Sequence, residues 1–421
     1  MCNPIFFAKN LDFLLPLRIF APNKSHSTHY FKSKTTMKKN QLTLCSAVAF
    51  VTLVSCMERQ DSSLVRPERV PIQPVEQAPP ADLGQNNFGG THSNDTTGRA
   101  ARLEARRKAM NTVRTIPFDS LSMSDPFIYA DPETKTYYLT SSGGRMWKSK
   151  DLETWEGSFE IADLTGTWCK EAGFAAAAEI HKIGDYYYYA ATYSDHGEII
   201  QAIPGRYNVP HNQTYLLRSD KVEGPYSSFS VEPGYDYQPY EWDCIDGTLY
   251  EENGHIYMIF VHEWTQIIDG TMDYIELSPD LTHTISEHPV TMFRASAAPF
   301  CREMNTIGEA TFGLKMPGWV TDGPQMFRTQ TGKLGMFWST WGDERYLQGI
   351  CYSASGTIAG PWIQEEKPFL ANNSGHGMLF RTFEGELRYI VHHSEGKGPR
   401  KPQLYEADDS GDKLVLGKRL K

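Results

Sequence analysis

A chain of 421 residues with 40% hydrophobic and 12% aromatic content can bury a sizeable core, either as one large all-β domain with flanking segments or as several ordinary domains. Its formal net charge of −10 is spread widely, with no basic domain and no nucleic-acid fingerprint, which argues against a polyanionic partner. The 22 Tyr, 21 Phe and 9 Trp favour strands, and exposed rings suit the apolar faces of sugars.

The first readable element is a targeting signal. Met37-Lys38-Lys39 gives a short basic start, Leu42 to Val54 is apolar, and Leu53-Val54-Ser55-Cys56 resembles a bacterial lipobox. The apolar run is shorter than the roughly 20 residues that a spanning helix needs. Residues 37–56 therefore read as a lipoprotein signal, with residues 1–36 upstream of the true start at Met37. The expectation is a monomer held at the bacterial cell envelope by a lipid on Cys56.

Residues 57–98, rich in Pro, Gln, Asn, Ser and Gly, cannot bury enough apolar surface to offset chain entropy. They read as a tether that extends through the basic, helix-prone stretch Arg99 to Arg114, so that the folded domain spans 115–421. Of the seven cysteines, Cys2, Cys45 and Cys56 belong to the leader. Cys169, Cys244, Cys301 and Cys351 show no metal-ligand spacing and are expected to be buried thiols, although an exported protein can also pair them.

From residue 115 onward, short strand runs alternate with Gly, Asp, Asn and Pro turns, and long amphipathic helices are absent. A hairpin unit recurs. Asp125-Pro126-Phe127 leads into Tyr137-Tyr138-Leu139, and Glu179-Ile180-His181 turns at Gly184-Asp185 into Tyr186 to Ala191. Ile245-Asp246-Gly247 turns at Asn253-Gly254, Asp322-Gly323-Pro324 at Thr331-Gly332, and Gly375-His376-Gly377 at Glu384-Gly385. Outer halves follow several units, among them Ser149 to Trp155, Leu216 to Tyr226 and Ile350 to Trp362. The pattern predicts a five-bladed β-propeller with four antiparallel strands per blade. Three of these units carry an aspartate at the same place, which would aim acids at one centre.

On these segments the chain resembles glycoside hydrolase family 43, five-bladed propellers that cleave arabinose- and xylose-containing polysaccharides. The resemblance runs over roughly residues 120–416 and rests on the order and spacing of the motifs rather than on any one tripeptide. It implies an inverting α-L-arabinofuranosidase or β-xylosidase, with endo-arabinanase as the alternative within the class. Inversion places a base and an acid roughly 6.5–9.5 Å apart, to admit a water.

Under that resemblance Asp125 is the general base, and Asp246 orients the proton donor and raises its pKa. Asp322 stands where the family usually has a glutamate, one methylene longer, with Glu263 and Glu309 as candidate substitutes. That departure keeps open a propeller that binds carbohydrate without cleaving it. His376 matches a histidine near the axis that lies beside a calcium ion and its waters in several relatives. Glu179 is a candidate for binding sugar hydroxyls or for a structural ion pair, with His181 beside it. Trp242, Trp264 and Trp341 are candidate subsite walls, each also suited to packing between blades. His392-His393 reads as pocket rim or structure. A sialidase is disfavoured because Ser149 to Trp155 is the one clear Asp-box-like copy and no arginine triad can be assembled. A fructan hydrolase is disfavoured by its missing opening motif.

Overall fold

The computed structural model describes residues 112–203, 208–305, 317–396 and 398–421. The expected upstream segment, lipoprotein signal and tether up to residue 111 lie outside the described residues, as does Glu309. Among the described residues no helix is long and apolar enough to cross a membrane.

Five sheets follow one another along the chain. The first contains β1 (Arg114–Pro117), β2 (Phe127–Asp131), β3 (Thr136–Thr140), β4 (Arg145–Ser149) and β5 (Thr154–Glu160). The second contains β6 (Ala162–Asp163), β7 (Ala176–Ile183), β8 (Tyr186–Ala202), β9 (Asn208–Ser219) and β10 (Tyr226–Ser227), with the short helix α1 (Cys169–Ala172) before β7. The third is β11 (Cys244–Glu252), β12 (His255–His262), β13 (Thr271–Leu277) and β14 (Val290–Arg294), with α2 (Trp264–Ile267) between its second and third strands. The fourth is β15 (Asp322–Arg328), β16 (Leu334–Gly342), β17 (Arg345–Ser353) and β18 (Trp362–Gln364). The fifth is β19 (Ser374–Arg381), β20 (Leu387–His393), β21 (Lys401–Asp408) and β22 (Val415–Arg419).

Each sheet is a four-stranded antiparallel meander, the blade of a five-bladed propeller. The first two blades carry a fifth strand on their outer edge: β1 pairs antiparallel with β5, and β6 pairs parallel with β10. Arg114, expected at the end of the tether, already pairs with Gly157 in β1.

Turn chemistry sets the hairpin registers. Glu252 faces His255 across Asn253 and Gly254, whose φ angles of 55° and 82° suit the mirror-image turn that matches strand twist. In the first blade, the Asp131 carboxylate accepts the N–H groups of Glu133 (3.3 Å) and Thr134 (3.1 Å) and so closes a longer turn.

Apolar side chains fill the space between neighbouring blades. Tyr138 and Met146 of the first blade pack with Tyr189 and Tyr215 of the second, and Tyr188 and Leu216 with Met258 and Phe260 of the third. Ile259 and Phe293 pack with Trp338 of the fourth blade, whose Phe337 and Ile350 pack with Tyr389 of the fifth. The ring closes where Met378, Phe380 and Ile390 meet Phe127, Leu139 and Trp155. No strand is shared across that junction; among the described residues it is held by this packing and by bonds such as Met123 N–H to the Arg400 carbonyl (3.0 Å). The four cysteines of the domain are free and buried, as expected.

One local distortion repeats around the axis. Each innermost strand from β7 onward carries one extra residue near its start, between Ala176 and Glu179, Ile245 and Thr248, Asp322 and Gln325, and Gly375 and Met378. The first unpaired residues, Ala177, Asp246, Gly323 and His376, have φ between 47° and 54°. Asp125, just ahead of β2, completes the set with φ 57°. In all five blades the N–H of this residue donates to a side chain of the preceding blade: Asp125 to His392 Nδ1 (3.1 Å), Ala177 to Ser142 Oγ (3.0 Å), Asp246 to Thr192 Oγ1 (2.8 Å), Gly323 to Asp246 Oδ2 (3.2 Å) and His376 to Ser339 Oγ (2.7 Å). A left-handed conformation costs a non-glycine residue roughly 1–2 kcal/mol, so side chains are held at the axis against a local preference.

Candidate active site

The bulges decide which side chains reach the axis. Asp125, Asp246 and His376 occupy equivalent slots of the first, third and fifth blades. Asp322 does not. It pairs with Ser339 as the residue before the bulge, and Gly323 fills the slot. The expectation of three acids at one repeated position is therefore corrected: two are equivalent, and the third enters one residue earlier. The empty slot has a use, because a Cβ on Gly323 would stand 2.7 Å from the His376 ring.

All three carboxylates meet at that ring. His376 Nδ1 lies 3.3 Å from Asp125 Oδ1, 3.5 Å from Asp322 Oδ1 and 3.8 Å from Asp246 Oδ2. Because both oxygens touch the same nitrogen, the Asp125 and Asp322 carboxylates are less than about 7 Å apart, close enough to act on one glycosidic linkage. Asp322 is the most open of the three, with 24% of its side chain exposed against 13% for Asp125 and 7% for Asp246. Asp322 is therefore the acid best placed to meet a solvent-borne substrate.

Burial would neutralise every one of these groups, and their mutual charges decide the outcome. Against burial, Asp125, Asp246 and Asp322 together push His376 up to about 10, so the ring is an imidazolium at neutral pH. Against burial again, that cation holds Asp125 well below the usual carboxylate range. The Asp125 N–H occupies His392 Nδ1, and burial keeps His392 below its ordinary value. Ser142 adds a hydroxyl donor to Asp125 Oδ2. Asp246 goes the other way: burial and the adjacent Asp322 carboxylate push it well above its ordinary value. Against burial, a hydrogen bond from Asp246 and the His376 cation keep Asp322 low. Of the two adjacent carboxyls, Asp246 is the one that burial and its neighbour's charge drive toward the protonated form.

The calcium that the resemblance implies beside His376 would draw on Asp246, Asp322 and His376, whose ligand atoms lie within 4.8 Å of one another. They supply two carboxyls and one nitrogen of the six to eight ligands that calcium takes, and waters would complete the shell.

The other candidates are dispersed. Glu179 lies one layer below the acids, 4% exposed, accepting from Thr248 Oγ1 (2.7 Å), from Gln325 Nε2 and from His181 Nε2 (2.8 Å). Its oxygens are engaged by protein groups. Trp264 is buried with Met304 and Val320, and Trp242 stacks on His262 at 4.1 Å. Trp341, half-buried, packs edge-on against Tyr346 at 5.8 Å. Glu263 precedes α2 and is not among the carboxylates that meet at His376.

Residues 114–409 match the family description Glycosyl hydrolases family 43. The chain belongs to that family. It is accordingly a glycoside hydrolase. An endo-arabinase from Bacteroides thetaiotaomicron is 31% identical, with a TM-score of 0.58 over 69% of this chain and 95% of that one. A thermostable family-43 glycoside hydrolase is 18% identical, with a TM-score of 0.54 over 73% of this chain and 97% of the other. An endo-1,4-beta-xylanase from Bacteroides thetaiotaomicron is 19% identical, with a TM-score of 0.53 over 74% and 98%. The last two are similar in fold alone. A comparison with curated proteins finds no match.

Two residues of this hydrolase's site were not legible as such. Tyr346 donates its hydroxyl to Asp322 Oδ2, and nothing in Arg345-Tyr346-Leu347 sets it apart from an ordinary strand tyrosine. Ser142 sits in an unremarkable Ser-Ser-Gly-Gly turn. His392, read only as rim or structure, contacts Asp125 directly.

Proposed function

We propose that this enzyme hydrolyses arabinose-containing polysaccharide or its oligomers with inversion at the anomeric carbon. The single observation that carries the chemistry is the meeting of three carboxyl groups, those of Asp125, Asp322 and Asp246, within 3.3 to 3.8 Å of His376 Nδ1. Asp125, held ionised, takes a proton from the water that attacks the anomeric carbon. Asp322, the most exposed of the three, relays to the departing glycosidic oxygen the proton that Asp246 holds, so each turnover moves one proton onto Asp125 and one off the pair, and exchange with solvent restores both. A binding-only propeller is the weaker reading, because both a base and a proton source stand within reach of one linkage. The choice of arabinose over xylose rests on the endo-arabinase that is 31% identical.

The sequence around Cys56 supports an exported, lipid-anchored form at the cell envelope, and mass spectrometry of the N-terminal peptide of cell-derived protein tests it. For the activity, reducing sugar released from linear arabinan should be abolished in Asp125→Asn, and NMR of the first-formed sugar should show inverted configuration. Retained configuration, or turnover that survives Asp125→Asn, would reject the mechanism.

A further inference from the structure

Asp322 is short for its task, and the structure provides it with a rigid support. Tyr346 stands at the start of β17 opposite Trp341 and is 4% exposed. Its ring lies parallel to that of His392, at 5.4 Å and 3°, and edge-on to Trp341. It passes over Gly375, where any side chain would overlap the ring. Three neighbours from two blades thus fix a phenol whose hydroxyl donates to Asp322 Oδ2, leaving Oδ1 turned toward His376.

We infer that Tyr346 is the positioning residue of the proton donor: its hydroxyl sets the rotation and reach of the Asp322 carboxyl in place of the methylene a glutamate would supply. This rests on the reading of Asp322 as the donor. Tyr346 is too buried to touch substrate, so it acts through Asp322. A carboxylate tied at one oxygen by a fixed donor cannot turn away from the leaving oxygen, and a displacement of about 1 Å costs on the order of 100-fold in rate. On this inference the hydroxyl, held against Asp322 Oδ2, would also crowd a longer acid at this position, which makes Asp322 and Tyr346 a matched pair.

Tyr346→Phe removes only the hydroxyl. On an arabino-oligosaccharide, whose leaving oxygen needs protonation, its kcat should fall about 10- to 100-fold with KM within about twofold. On a nitrophenyl arabinofuranoside, whose leaving group needs little help, kcat should fall less than about threefold. Asp322→Glu alone should also be slow on the oligosaccharide, and Asp322→Glu with Tyr346→Phe should regain at least about tenfold over it, because the hydroxyl no longer blocks the longer side chain. Equal losses on both substrates, no loss on either, or no recovery in the double variant would overturn the inference. Asp322→Asn separates the two layers. Oligosaccharide turnover that survives it rejects the donor reading and Tyr346's role with it; turnover lost there but kept in Tyr346→Phe rejects the role of Tyr346 alone.

Discussion

Asp246 and Asp322 bring carboxyl oxygens within 4.8 Å of each other from inequivalent positions of the repeat. Asp246 projects from the left-handed bulge of the third blade, whereas Asp322 precedes the bulge of the fourth, whose slot is filled by Gly323. The Gly323 N–H donates to Asp246 Oδ2 (3.2 Å), so the backbone that displaces one acid orients the other. A fivefold-symmetric ring would force like charges into equivalent slots. Breaking the symmetry by one residue lets two carboxyls approach, with the imidazolium of the next blade beside them.

Gly323→Ala tests that arrangement. The new methyl would sit 2.7 Å from the His376 ring, on a backbone with φ 48°. The conformational strain alone is about 1–2 kcal/mol. The expected outcome is a fall in denaturant midpoint of that order or more, with oligosaccharide turnover down at least about tenfold as His376 shifts. Unchanged stability and turnover would mean that the slot has no function.

His376 makes a stability prediction with a definite sign. Its folded pKa is raised from 6.5 to about 10, so its contribution is complete below 6.5 and is lost as pH climbs through about 10. Unfolding free energy should decline across that window in the native protein, by an amount of order a few kcal/mol. In His376→Gln the level will be lower throughout, and this component of the slope should vanish. Parallel curves for the two proteins between pH 6.5 and 10 would refute the imidazolium.

The blades were legible because their signals are local: two-residue turns such as Asn253-Gly254 and strand alternation do not depend on the rest of the chain. Asp125, Asp246 and His376 were legible because each is a polar residue at the head of an apolar strand run. What sequence could not carry was register. Asp322 and Gly323 are adjacent letters, and nothing in the text says which of them falls in the bulge. Tyr346 and Ser142 were hidden for a related reason, since their partners lie across a blade boundary and are fixed only when the ring closes. Glu179 looked like Asp246 in the repeat, yet it aligns with Thr248 and Gln325, one layer down.

That lower layer should be structural. Glu179→Ala would leave buried donors on Gln325 and Thr248 without their acceptor, costing about 1–3 kcal/mol for each group left unsatisfied. The expected outcome is a lowered thermal midpoint, with KM for arabino-oligosaccharides within about twofold of the native value. A KM increase with unchanged stability would restore the substrate-binding role.

The shared proton gives the sharpest test, through Asp246→Asn. In the native site the pair keeps its proton to higher pH than an ordinary carboxyl, because burial and the neighbouring Asp322 charge raise Asp246. The base, in contrast, is ionised well below the usual range, held there against burial by His376. The pH profile of kcat/KM on an unactivated oligosaccharide should therefore be bell-shaped, with its acidic limb displaced downward and its alkaline limb upward. Asparagine at 246 can still donate a hydrogen bond to Asp322 but stores no proton. Asp322 then titrates alone beside the imidazolium, which favours its ionised form. The alkaline limb should move to lower pH and the plateau should drop by about 100-fold or more, while the acidic limb set by Asp125 stays in place. If the alkaline limb holds its position in Asp246→Asn, the proton delivered to the leaving oxygen does not come from this pair.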